Sequence, residues 1–223
     1  GNIAAYSGSI HGASSGSTAY EIDGVNGESP TTGGIQITPQ YESVEEIEIS
    51  TGGLPAQFGA SGGSFISVVT KSGGNEFHGQ LQTYYTAEGF NQMLFTEEEL
   101  ASMKKSKPGF AKYDVDVSAS LGGPIIRDKI WFYGTVDYRQ NEYTFSFDPV
   151  TINGKLYEAY TNPAKTWSPF FKLTTQISKD MRFFVMFNGS FAKNIYNPGY
   201  YRTYDSTVDS LSNRTAITGE LAG

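Results

Sequence analysis

Several stretches of the chain alternate apolar and polar residues at every second position, which is how a strand with one greasy and one wet face reads. The clearest places Tyr113, Val115, Val117, Ala119 and Leu121 on one face, with Asp114, Asp116, Ser118 and Ser120 on the other. In the next, Ile130, Phe132, Gly134, Val136 and Tyr138 oppose Trp131, Tyr133, Thr135, Asp137 and Arg139. Phe171, Leu173, Thr175 and Ile177 oppose Phe170, Lys172, Thr174 and Gln176; Phe183, Val185, Phe187 and Phe191 oppose Arg182, Phe184, Met186, Asn188 and Ser190. A shorter stretch from Gln80 to Ala87 precedes them, and a sixth strand is expected to begin near Thr215. Most of these outlast the ordinary strand of roughly 5–6 residues. They suit the about 9–11 residues that a tilted strand needs to cross a bilayer.

Alternation alone does not say whether an apolar face meets a second sheet or lipid. The connections help to decide. Tight turns, Ile126-Arg127-Asp128-Lys129 and Ser178-Lys179-Asp180, alternate with long polar stretches, roughly 88–112, 140–167 and 194–213. Short and long links in strict alternation are expected when every second turn faces the periplasm. No Asp, Glu, Lys or Arg falls on the apolar faces, where a Lys or Arg at the bilayer midplane costs about 2–4 kcal/mol. A soluble, secreted β-sandwich that binds glycan or protein through aromatic loops such as Tyr196–Tyr204 is the competing architecture.

The residues before Gly74 read differently, as short strands joined by glycine-rich turns. Tyr20, Glu21 and Ile22 end in the turn signal Asp23-Gly24; Val44, Ile47 and Ile49 alternate with glutamates; SFISVVT runs from Ser64 to Thr70. In the long connection after Ala87, Thr96-Glu97-Glu98-Glu99 forms a capping box, and Lys104, Lys105 and then Pro108-Gly109 follow. A short helix over 97–105 is expected there.

Composition adds a few exclusions. The 223 residues carry 15 Tyr, 15 Phe and 26 Gly, which favours a mainly β protein with many turns. A net charge of −7 and a lysine trio (Lys104, Lys105, Lys107) offset by Glu97–Glu99 argue against nucleic acid as a partner. The absence of Cys removes disulfides, thiolate metal sites and cysteine nucleophiles. No run approaches the roughly 18 apolar residues of a membrane helix. The mean hydropathy of −0.35 does not count against a β-barrel, whose strands are apolar on one face only.

Three segments carry a family resemblance: YEIDGVN at Tyr20–Asn26, SVEEIEISTGGLPAQFGASGGSFISVVTKSGGNEFHG at Ser43–Gly79, and LGGPIIRDKIWFYG at Leu121–Gly134. They resemble the plug-to-barrel junction of TonB-dependent outer-membrane receptors of the Oar-like branch. The resemblance implies the C-terminal part of a plug domain over 1–76, then, over 77–223, about 5–6 antiparallel strands of an incomplete transmembrane β-barrel. It implies a plug signature at Asp23, Gly24, Gly59, Gly62, Gly63, Thr70, Lys71 and Gly73. Ile10-His11-Gly12 stands where relatives commonly carry Arg-Gly, which removes any role for that Arg. Barrels of this family close with about 22 strands, so the chain is expected to be part of a longer protein; it starts at Gly1 without a leader, and the segment that engages TonB is expected to lie elsewhere. The implied partners are outer-membrane lipid, the TonB complex and a solute (metal chelate, oligosaccharide, peptide or exported protein), in the outer membrane of a Gram-negative bacterium.

Chemistry is otherwise sparse. Gly12-Ala13-Ser14-Ser15-Gly16 matches the hydrolase elbow, but no apolar strand precedes it and no helix pattern follows. His11 and His78 belong to no metal-binding spacing, and Asn188-Gly189-Ser190 and Asn213-Arg214-Thr215 are glycosylation sequons only in a eukaryotic secretory context. Neither catalysis, nor a cofactor, nor a metal is expected. Asp114, Asp116, Asp137, Arg139 and Lys172, on the polar faces of the strands, are the candidates to face the lumen.

Overall fold

The computed structural model describes residues 18–27, 39–51, 64–90, 96, 98–99, 110–145, 150–152, 155–157, 160–196 and 208–222. The described elements are strands, apart from 3-10 turns at Tyr41–Ser43 and Glu88–Phe90 and a helical pair, Glu98 and Glu99. In chain order the strands are β1 (Thr18–Ile22), β2 (Val25–Asn26), β3 (Val44–Ser50), β4 (Ser64–Thr70), β5 (His78–Ala87), β6 (Phe110–Ile126), β7 (Ile130–Phe145), β8 (Val150–Ile152), β9 (Lys155–Tyr157), β10 (Tyr160–Ser178), β11 (Met181–Tyr196) and β12 (Val208–Ala222).

They form two principal sheets. A small one has the order β2-β1-β4-β3, with β1 parallel to β4 and the other pairs antiparallel. Its first turn places Asp23 at φ 48° and Gly24 at φ 84°, the left-handed pair that a tight two-residue hairpin requires. The larger sheet is an antiparallel meander, β12-β11-β10-β7-β6-β5, with the hairpin β8–β9 set into the β7–β10 connection.

The long strands run further than the alternation suggested. β6, β7, β10, β11 and β12 are 17, 16, 19, 16 and 15 residues long, well past what a bilayer crossing needs. The extra length lies at the ends joined by long connections: β7 runs on to Phe145, β10 starts at Tyr160 and β12 at Val208. There Gln140, Asn141 and Glu142 are half-buried and Tyr143 exposed, with polar residues on both faces, so the side-chain pattern fades while the backbone ladder continues. The short turns are as expected, with Lys129 N–H donating to the Ile126 carbonyl at 3.1 Å and Ser178 pairing Met181. At the capping box, Thr96 N–H and Oγ1 donate to Glu99 Oε2 at 2.8 and 3.0 Å, and Glu99 N–H returns to Thr96 Oγ1 at 3.2 Å. These bonds hold the Glu99 carboxyl below its usual range. The rest of that expected helix lies outside the described residues.

The two faces of the large sheet are inverted relative to a soluble protein. Leu81, Tyr85, Leu121, Val136, Phe171, Val185 and Phe191, all on the apolar faces, are exposed. Asp116, Ser118, Thr135, Asp137, Lys172, Thr174 and Asn188, on the polar faces, are buried. Register spreads this inversion across the sheet: Leu121, Gly134, Phe171 and Phe187 form one outward row, while Gly122, Tyr133, Lys172 and Met186 form an inward one. Val117, Phe132 and Phe187 belong to the outward face and are not sealed beneath a second layer. A sandwich would bury that face; a barrel wall turns it to lipid. Six strands do not close such a wall.

Candidate functional site

The inward face of the wall carries the small sheet. Tyr20, Ile22, Ile66 and Val68 from β1 and β4 pack with Tyr133, Phe170, Phe184 and Met186 from β7, β10 and β11 into one core cluster. Around it run polar contacts. Tyr133 Oη donates to the Glu42 carbonyl at 2.8 Å, and the fully buried Gln40 donates its side-chain amide to the Ser168 carbonyl.

At its centre is an ion pair. Lys172 Nζ, from mid-β10, donates to Asp23 Oδ2 at 3.0 Å, to Thr70 Oγ1 at 3.0 Å and to the Thr70 carbonyl at 3.3 Å. It also lies 4.8 Å from the centre of the Phe184 ring, within cation–π reach. Asp23 is in turn fixed by Thr70, whose N–H donates to Oδ1 at 2.9 Å and whose hydroxyl donates to Oδ2 at 2.5 Å. Both charged side chains are 6% exposed. Three residues singled out from sequence, two in the small sheet and one on the wall, thus meet although Lys172 lies 149 positions from Asp23.

The other candidates are dispersed along the wall. Arg139 grips Asp114 through Nε to Oδ1 at 3.0 Å and Nη2 to Oδ2 at 2.5 Å, a bidentate pair. Asp116 lies opposite Arg139 in register, and Asp137 opposite Ser118; both aspartates are buried on the inward face. Lys71 N–H donates to the Ser43 carbonyl at 2.8 Å, closing the end of the small sheet. Gly73 passes so close to β7 that a Cβ would overlap the Phe132 carbonyl oxygen. Gly24 completes the Asp23 turn. Gly59, Gly62, Gly63, His11 and the Gly12–Gly16 segment lie outside the described residues. Among the described residues, no group of three or more His, Cys, Asp or Glu could hold a metal ion.

Sequence reasoning missed Gln40, Glu42, Tyr133 and Asn75. Asn75 Oδ1 accepts from Asp128 N–H at 2.9 Å and from Trp131 Nε1 at 2.7 Å, while its amide donates to Asp128 Oδ1 at 2.6 Å. This ties the linker after the small sheet to the first short turn and supports the left-handed φ of 62° at Asp128. Local pattern marks Asn75 only as a turn residue, because its partners are more than fifty positions away.

Residues 69–207, more than half of the chain, match the family model described as outer membrane beta barrel domain. The chain belongs to the outer membrane beta barrel family. The chain is 35% identical over 132 residues to the TonB-dependent transporter Oar of Myxococcus xanthus, a match that covers 57% of this chain. The chain spans 12% of that relative's length. Among solved structures it superposes on the outer membrane transporter YddB of Escherichia coli (TM-score 0.69, 16% identity, 96% of this chain and 30% of that one). A ferric enterobactin receptor (PfeA) mutant of Pseudomonas aeruginosa gives a TM-score of 0.61 at 15% identity, covering 96% of this chain and 31% of that one. The siderophore receptor PirA of Acinetobacter baumannii gives 0.53 at 21%, covering 84% and 26%. At these identities the structures speak for the fold. As an outer membrane beta barrel, the protein belongs in the outer membrane of a Gram-negative bacterium.

Proposed function

We propose that the small sheet is the end of a plug, residues 1–76, that residues 77–223 begin the wall of a plug-gated TonB-dependent transporter, and that Lys172, Asp23 and Thr70 form a latch between the two. The buried ion pair between the inward wall and the small sheet carries this reading. A latch must hold in one state and release in another without a large net loss. A buried pair behaves so, because its attraction largely offsets the dehydration of the two charges, and water that enters as the sheets part restores both. Energy relayed through TonB would displace the plug, and Asp114, Asp116, Asp137 and Arg139 would line the path that opens. Structural likeness to siderophore and ferric enterobactin receptors makes a ferric chelate the first solute class to test, ahead of oligosaccharide, peptide and protein.

The test is ion conductance of the full-length receptor in planar bilayers. Lys172→Met leaves Asp23 buried without its cation and weakens docking of the small sheet by about 3–5 kcal/mol. Lys172→Glu adds repulsion and should conduct most, and the swap Asp23→Lys/Lys172→Asp should restore closure at least in part. Wild-type conductance in both single variants removes the latch.

A further inference from the structure

The end of the wall that bears the short turns carries a charge pattern that gating does not use. The β6–β7 turn presents Arg127 and Lys129, and the β10–β11 turn presents Lys179, all exposed. Gln176 N–H donates to the Lys129 carbonyl at 2.8 Å, which sets the two turns side by side. Asp128, the carboxylate between Arg127 and Lys129, accepts from the Asn75 amide at 2.6 Å and so is held toward the linker. Asp180 is the other carboxylate on these turns, leaving three cations against two acids, Arg127, Lys129 and Lys179 against Asp128 and Asp180.

Beside these cations the wall is apolar and open. Phe77, Ile125, Ile126 and Ile177 are between 49% and 67% exposed, and Met181 follows the second turn at 36%. Ile126 pairs with Ile130 in register, on the outward row of β7, and Met181 lies two residues before outward Phe183. Short turns of such barrels face the periplasm, so this edge meets the inner leaflet of the outer membrane. A rim of cations against an open apolar band matches a molecule that joins an anionic headgroup to acyl chains. We infer that this rim is a binding surface for an anionic glycerophospholipid, its phosphate held by Arg127, Lys129 and Lys179 and its chains lying over Ile126, Ile177 and Phe77. A free phosphate would use the cations but leave the apolar band without a role. The inference rests on the membrane location and not on the latch.

The test titrates phosphatidylglycerol into nanodiscs of phosphatidylcholine that hold the full-length receptor, with bound lipid counted by native mass spectrometry. The triple variant Arg127→Gln/Lys129→Gln/Lys179→Gln should bind phosphatidylglycerol about a hundredfold more weakly, roughly fivefold for each cation lost. Lys179→Gln alone, on a turn whose fold does not depend on it, should lose about fivefold. Lys112→Gln, at the opposite end of the wall, should change nothing. An unchanged preference in the triple variant overturns the proposal. So does an equal loss in Lys112→Gln, or displacement of the lipid by inorganic phosphate at the lipid's own affinity.

Discussion

Val69 of the small sheet and Val136 of the wall are almost equally exposed, at 43% and 40%, yet they face different solvents. Val69 lies opposite Glu46 across the β3–β4 ladder, and that glutamate is exposed beside it, so the pair meets water. Val136 lies between Ala119 and Pro169, with Gly134 and Phe171 in the row on one side and Tyr138 and Trp167 in the row on the other. Nothing charged interrupts that patch, and the Tyr138 and Trp167 rings meet across it, tilted by 43° with centroids 4.4 Å apart. Exposure alone therefore does not identify the medium. The residues across the register do, because a lipid-facing row must be apolar along its whole width.

An arginine at each valine separates lipid from water most directly. Val136→Arg should cost about 2–4 kcal/mol, whereas Val69→Arg should stay within about 0.5 kcal/mol. Urea unfolding of the full-length receptor in vesicles reads both, and equal costs would remove the distinction between lipid and water. A smaller effect separates the sheets by pH. Burial pushes the Tyr20 phenol from its ordinary value of 10 up to about 12. The folded state holds that proton more tightly than the unfolded state, so the contribution is complete below pH 10 and is lost as pH rises toward 12. The small sheet should lose on the order of 2 kcal/mol across that window. Tyr20→Phe should abolish this loss; an unchanged alkaline transition in that variant would assign it to another group.

The smallest expected effect is at the joint between the regions. Asn75→Ala strips partners from Asp128 N–H and Trp131 Nε1 and should cost about 1 kcal/mol, since both groups are close to water. Trp131 fluorescence during unfolding would show the shifted midpoint. An unshifted midpoint would mean that the joint does not depend on the asparagine.

Much of the wall was legible in the sequence because its instruction is local. Side chains at period two, with no charge on one face, specify a strand between apolar and wet surroundings whatever its neighbours are. The same signal fails toward the long connections, beyond Tyr138 and before Trp167, where polar residues such as Gln140, Asn141, Asn162 and Lys165 stand on both faces and the backbone ladder records the strand. In the small sheet the Asp23-Gly24 turn and the SFISVVT strand could be read directly. The parallel pairing of β1 with β4 could not, since the paired residues lie 46 positions apart and parallel partners share no turn to fix them.

Strand type and the gathering of apolar side chains on one face follow from neighbours a few residues apart, and the spacing of the turn signals shows the short and long links; that the apolar face points outward is a property of the fold. Which polar residue meets which is set on folding: Lys172 reaches Asp23 and Thr70, Asn75 closes on Asp128 and Trp131, and Gln40 finds the Ser168 carbonyl. A charge or an amide needs a partner once water is excluded, and burial arises when two distant segments are folded together, which no spacing along the chain can specify.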